Sequence, residues 1–277
     1  MPFLERKGAP TLHYEIDDHT DPWKNAPYML LAHGFGRNSL FWYRWVPYLS
    51  RYYRVLRPDM RGFGRSTHDF DRSTRFDFSD LAADVVAILD ALDAPSAHFC
   101  GEHFGGTLGM QVAAEYPQRI RTLNLIAGPV VLQQDVKGEF AMGEATWEDA
   151  LRKHGIKKWA QVTNTMSRFP PDVGAAFLEW YSEELAKTDL ETLIRFSTLC
   201  SNYDMTRYLP RIAAPVLGIY ARTRYKQVAL LREHVKHFSG IELDTDYFMF
   251  YCVHPRLCAD AVLHFAARFD GVPCNEP

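Results

Sequence analysis

Short apolar runs alternate with longer amphipathic ones along most of the chain. Thr11-Leu12-His13-Tyr14-Glu15-Ile16 alternates residue by residue, the pattern of a strand with one buried face. Tyr28-Met29-Leu30-Leu31-Ala32 is apolar throughout and ends at His33-Gly34, as a central parallel strand does. Tyr53-Arg54-Val55-Leu56 forms another short strand, closed by Pro58. From Ser79 onward Leu81, Val85, Ile88, Leu89 and Leu92 share one face of a helix, with Asp80 at its positive end. Ala97-His98-Phe99-Cys100 leads into Gly101, then into a helix that runs to about Tyr116-Pro117, and Leu123-Asn124-Leu125-Ile126 is the next strand. From about 131 to 208 the strand pattern vanishes in favour of helical stretches with many aromatics. Strands resume at Pro215-Val216-Leu217-Gly218-Ile219-Tyr220 and Ile241-Glu242-Leu243, and a helix over about 256–268 closes the fold. This order predicts an α/β core built from 1–130 and 209–277, an open parallel sheet interrupted by a helical cap over 131–208.

Composition narrows the function classes. The 277 residues, 47% hydrophobic and 23% charged, are those of a globular protein with a sizeable core. A net charge of −3 leaves no electrostatic footprint for nucleic acid. The longest apolar runs fall far short of the roughly 20 residues that span a membrane, and Met1-Pro2-Phe3-Leu4-Glu5-Arg6-Lys7 lacks the apolar segment of a signal peptide. The five cysteines (Cys100, Cys200, Cys252, Cys258, Cys274) are odd in number and form no C-x-x-C pair, which argues against a disulfide framework or a zinc site. A cytoplasmic protein acting on a small molecule is expected, with no nucleic-acid or membrane partner. The chain has no Gly-rich phosphate loop, metal-ligand cluster or dinucleotide fingerprint, so no cofactor and no metal are expected.

Three glycine-rich stretches sit where chemistry is expected. Gly101-Glu102-His103-Phe104-Gly105-Gly106 joins a strand to a helix. A sharp turn there needs small neighbours, projects its middle residue outward, and lets the helix aim free N–H groups at developing negative charge. His33-Gly34-Phe35-Gly36 ends the Tyr28 strand, and in an open parallel sheet such loops converge on one crevice beyond the strands' carboxyl ends. Asp59-Met60-Arg61-Gly62-Phe63-Gly64-Arg65-Ser66 follows the next strand.

In this order the three stretches resemble the α/β-hydrolase superfamily, over nearly the whole chain. The resemblance implies an eight-stranded, mostly parallel sheet, a cap after the sixth strand, and an oxyanion hole from two backbone N–H groups, which fall on Phe35 and Phe104. The catalytic triad does not carry over. The family's elbow reads G-x-S-x-G, or holds Asp or Cys, and here the position is His103. The family's acid follows the seventh strand, where this chain reads Ala221-Arg222-Thr223-Arg224. The family's histidine lies about seven residues before a proline. Counting back from Pro255 gives Phe248, or Tyr247 with a one-residue slip.

The reading of His103 stays open at this point: an imidazole nucleophile or general base, a ligand-binding group in a site without chemistry, or a substitution with no role. Asp246 is a candidate orienter for it, the plainer alternative being that Asp244 and Asp246 are exposed loop carboxylates. Glu102 reads as structural, with a charge role open through its nearness to the cavity. Arg222 and Arg224 are candidate clamps for a substrate carboxylate, or else a solvated loop. His33, Asp59 and Arg61 read as loop-fixing residues, and His254 as a surface one. Trp42, Tyr247 and Phe248 are candidate pocket walls. They join Phe250, Tyr251 and the cap aromatics Trp147, Trp159, Trp180, Tyr181, Phe196 and Tyr203, most of which are expected in the core. The leading expectation is an enzyme acting on an ester, lactone or β-keto compound, as a cofactor-independent hydrolase, C–C lyase or decarboxylase. The alternatives are a non-catalytic binder and a rewritten serine hydrolase.

Overall fold

The apolar runs pair into one eight-stranded sheet in the order β1-β2-β4-β3-β5-β6-β7-β8. A computed structural model describes residues 2–68, 77–132, 134–164 and 168–271; Met1 and Cys274 lie outside them. The strands are β1 (Phe3–Arg6), β2 (Ala9–Asp17), β3 (Tyr28–Ala32), β4 (Arg54–Pro58), β5 (Ala97–Glu102), β6 (Ile120–Ile126), β7 (Val216–Ala221) and β8 (Phe238–Leu243). β1 and β2 are antiparallel to each other, and β2 is antiparallel to β4; β3 to β8 run parallel. Met29, Leu30 and Leu31 on β3 and Phe99 and Cys100 on β5 are fully buried, which accounts for their unbroken apolar runs.

The helices are α1 (Val46–Leu49), α2 (Phe78–Ala91), α3 (Phe104–Glu115), α4 (Gln134–Ala141), α5 (Trp147–Thr163), α6 (Ala175–Ala186), α7 (Leu190–Asn202), α8 (Tyr225–His234), α9 (Phe250–Val253) and α10 (Pro255–Asp270). Helices cover both faces of the sheet. α3 packs on β5 and β6 beside α2, while α10 packs on β6 and β7 beside α1. Asp77 starts α2 with a capping box closed by Asp80, and Gly271 ends α10 in the left-handed region at φ 66°.

Between β6 and β7 the described residues form α4 to α7, packed largely on one another. Gln227 of α8 anchors the chain where it leaves the sheet. Its Oε1 accepts from Val130 N at 2.8 Å, and its Nε2 donates to Val131 O at 3.0 Å. Register decides where the site lies. Ala32 pairs with Gly101 and Glu102 with Ile126, so β3, β5 and β6 end level and their outgoing loops meet. No helix among the described residues is long and apolar enough to cross a membrane.

Candidate active site

β5 runs into α3 with a single residue between them, and that residue is His103 at φ 47° and ψ −115°. A non-glycine residue there carries strain, and hydrogen bonds hold it. His103 N donates to Ile126 O at 2.9 Å, and His103 O accepts from Gly106 N and Thr107 N at 2.9 and 3.1 Å. The flanking glycines follow from close approach: a Cβ on Gly105 would run into the Ala32 backbone, and one on Gly101 into that of Gly105. Among the described residues no carbonyl accepts from the N–H of Phe104, the first residue of α3, or from that of Phe35 in the facing loop. Both donors are available to a ligand oxygen.

Buried polar contacts hold the facing loop. His33 Nε2 accepts from Met60 N at 3.0 Å, so the proton of its neutral ring sits on Nδ1 and donates to Gly34 O at 2.9 Å. Burial pulls the His33 pKa down to about 4. Asp59 accepts from Ser39 N at 2.6 Å and Arg65 N at 2.9 Å and pairs with His13 Nδ1 at 2.8 Å. Burial alone would raise its pKa; the hydrogen bond to His13, the nearby His33 and the two N–H groups outweigh this and lower it. Arg61 is bound to Asp84 of α2 at 2.6 and 2.8 Å. Glu102, the last residue of β5, takes three donors: Gly34 N–H, the Arg37 guanidinium and Tyr251 OH, the last at 2.7 Å. Arg37 reaches on to Tyr181 OH of the cap at 2.7 Å.

His103 faces a chamber of two lobes, each with about 60 Å³ open to the centres of water molecules. One lobe includes Phe35, Arg37, Trp147, Arg168, Tyr181 and Tyr203; the other includes Ala127, Val131, Tyr220 and Arg224. His103, Pro129, Leu132, Phe140 and Phe248 border both. The Phe248 backbone lies near enough to the His103 ring to oppose the fall of its pKa, and the buried Nε2 has no hydrogen-bond partner among the described residues. Burial, then the cations Arg37, Arg224 and Arg168, hold its pKa well below that of free imidazole, so the ring is neutral at neutral pH. A far larger groove, about 1080 Å³, lies at the opposite ends of the strands, and paired charges line it. Arg121 bonds Asp270 there at 3.2 Å and Arg51 bonds Asp21 at 2.8 Å. That groove contains neither the elbow nor the free N–H groups, so the small chamber is the candidate site.

A family model described as "alpha/beta hydrolase fold" matches residues 27–170, from β3 into the cap. The chain belongs to the alpha/beta hydrolase fold family. Among curated relatives, "Putative carbamate hydrolase RutD" of Agrobacterium fabrum is 35% identical over 205 residues, 73% of this chain and 70% of that protein. "3-Oxoadipate enol-lactonase 2" of Acinetobacter baylyi is 27% identical over 223 residues, 77% and 79% of the two chains. Among solved structures, an enol-lactonase from Burkholderia xenovorans LB400 superposes with a TM-score of 0.79 at 24% identity, covering 98% of this chain and all of that one. A hydrolase from Pseudomonas aeruginosa PA01 gives 0.81 at 24% identity, covering 95% and 97%.

Within this alpha/beta hydrolase fold, only some sequence candidates meet. Phe248 lies against His103, ring centroids 4.9 Å apart, and Arg224 sits over the Phe248 ring at 5.0 Å. Asp246 does not orient His103. It is exposed and gripped by Arg222 at 2.9 Å through both carboxylate oxygens, with Asp244 on the third arm at 2.7 Å. Arg222 is thus occupied on the surface rather than clamping a ligand. Trp42 is no pocket wall; it is 2% exposed and packs edge-on against Trp45 in the core. Tyr247 is half-buried and borders neither lobe. Glu102 does not itself border the chamber; it holds Arg37, which does, and braces the Phe35 loop through Gly34 N–H. His254 is exposed at the start of α10. Of the cap aromatics, Trp147, Tyr181 and Tyr203 border the chamber, while Trp159 and Phe196 are fully buried. Sequence reasoning passed over Arg37, which directly follows H-G-F-G, and Arg168, which no motif marks.

Proposed function

We propose that this chain is a hydrolase of a small carbonyl compound, of ester, lactone or β-keto type, in which His103 takes the place of the serine nucleophile. One observation carries the reading: a half-buried imidazole whose Nε2 has no hydrogen-bond partner among the described residues, at a strained turn beside the free N–H groups of Phe35 and Phe104. The names of the relatives, "Putative carbamate hydrolase" and "3-oxoadipate enol-lactonase", support the coarser part of the reading, hydrolysis of a small carbonyl compound.

The departures from the triad fit such a nucleophile. A serine hydroxyl must lose a proton before it attacks, which is the work of the triad histidine and its acid. A neutral imidazole attacks with a lone pair and has no proton to lose. Nε2 adds to the carbonyl carbon, and the carbonyl oxygen takes the negative charge between the two N–H groups, each worth about 3 kcal/mol. The bond to the leaving oxygen breaks, and the alkoxide takes a proton from water. The resulting hydroxide attacks the acyl-imidazolium, the C–N bond breaks, and Nε2 regains its lone pair. A depressed imidazole pKa makes the ring a better leaving group in that last step.

The test compares intact protein with His103→Ala on activated aryl esters and lactones. The mutant is expected to lose about a hundredfold or more in kcat/KM, and quenched reactions of intact protein should show an acyl group on the His103 peptide. Because the neutral ring is the active form and its pKa lies below 6.5, the rate should hold at pH 6.5 and fall only as pH drops further. Equal rates for the two proteins would remove His103 from catalysis and leave the chamber as a binding site.

A further inference from the structure

We propose that Arg168 is the binding site for a carboxylate on the ligand of this chamber. The cap thus selects small carboxylic acids, or their esters and lactones that keep a free carboxylate. The proposal names the substrate class for the reading above and stands on different residues.

Arg168 is 5% exposed and borders the same lobe as His103 and Phe35. Its guanidinium lies over the faces of Phe140 and Trp159, 4.7 Å from each ring centre, which fixes its plane. Among the described residues its side chain has one hydrogen-bond acceptor, Asn164 Oδ1 at 3.3 Å, and no carboxylate within ion-pair distance. A buried cation without a counter-charge costs several kcal/mol of desolvation, and proteins seldom keep one without use.

The adjacent charge does not relieve it. Arg37, bordering the same lobe, is matched by Glu102, whose oxygens are already taken by Arg37, Tyr251 and Gly34 N–H. The Arg168 pKa is pulled down to about 10, by burial first. Tyr181, Tyr251 and Glu139 oppose that fall electrostatically, and Arg37 adds to it. An anionic group brought by the ligand would complete the pair. A carboxylate suits the planar fork of a guanidinium stacked this way. With a water taking roughly 10–15 Å³ of such space, the two lobes admit a ligand of roughly eight to twelve non-hydrogen atoms.

Phenylacetate and phenylacetamide have the same shape and differ in charge, so they serve as probes. Calorimetric titration of intact protein should show the acid bound roughly ten- to a hundredfold more tightly than the amide. That preference should vanish in Arg168→Met and survive in weakened form in Arg168→Lys. Arg168→Met should also melt at a higher temperature than intact protein without ligand, because it removes an uncompensated buried charge. Equal binding of the two probes, binding of neither, or a preference that persists in Arg168→Met would overturn the proposal. The same titration on His103→Ala separates it from the hydrolase reading: a preference kept there, with no turnover in either protein, sinks the hydrolase and leaves the carboxylate site standing.

Discussion

His33 is a fully buried imidazole and His103 a half-buried one, and both are held neutral at neutral pH; their contacts divide their roles. His33 uses both ring nitrogens, Nε2 toward Met60 N–H and Nδ1 toward Gly34 O, so it has nothing left for a ligand. The His103 ring borders the chamber, and its buried Nε2 has no hydrogen-bond partner among the described residues. The glycines around the elbow were legible because they answer to local sterics, whereas the fate of each imidazole depended on distant partners such as Phe248. The two groups share a consequence for stability. An imidazole neutral in the fold but free to protonate when unfolded contributes nothing above pH 6.5 and weakens the fold as pH falls below it. For His33, from 6.5 to about 4, that amounts to about 3 kcal/mol. Urea midpoints measured from about pH 7 to about pH 4 should therefore fall less steeply in His33→Gln, whose amide can still accept from Met60 N–H. Parallel curves for the two proteins would refute the assignment.

Between elements, the pair Arg37–Glu102 ties the end of β5 to the loop after β3, and through Tyr181 to α6 of the cap. Burial pushes the Glu102 carboxyl up, while Arg37, Tyr251 and Gly34 N–H pull it down. Gly34 N–H, the Arg37 guanidinium and Tyr251 OH all donate to this side chain, and the Arg37 cation beside it favours the carboxylate form. Glu102→Gln would strand Arg37 and is expected to cost about 3–5 kcal/mol. The double change Arg37→Met with Glu102→Leu should recover most of that in chemical denaturation. A double mutant as unstable as the single one would mean that the pair is needed for packing rather than for charge. Adjacency in sequence suggested only that Glu102 points away from His103. Its partners lie 65 and 149 positions away, and no local pattern names them.

On the scale of the whole molecule, strand order places the loop after β8 over the elbow after β5, although β6 and β7 lie between them in the sheet. The double change His103→Ser with Phe248→His therefore puts a hydroxyl and an imidazole at neighbouring positions. It should show measurable ester hydrolysis, weaker than a full triad allows because 221–224 supply no carboxylate. Silence of that protein toward aryl esters would mean that the two loops are not in catalytic register. Most strands and helices were legible, since burial on one or both faces writes a period of two, a period of 3.6 or an unbroken apolar run into the chain. The short edge strand β1 escaped that reading, because it owes its shape to pairing with β2 across the Gly8 turn. α8 escaped with it, although Gln227, Val228 and Leu231 share its buried side. Local patterns along the chain were enough for the mostly parallel sheet with helices on both faces, and for the sharp turn that His103 occupies between β5 and α3. The three-dimensional fold was needed to show that Asp246 is spent on Arg222, that Trp42 belongs to the core, and that Arg168 borders the same lobe as His103 with Asn164 as its one hydrogen-bond acceptor among the described residues. Those outcomes depend on which side chains meet across long separations, and that is settled by packing in three dimensions.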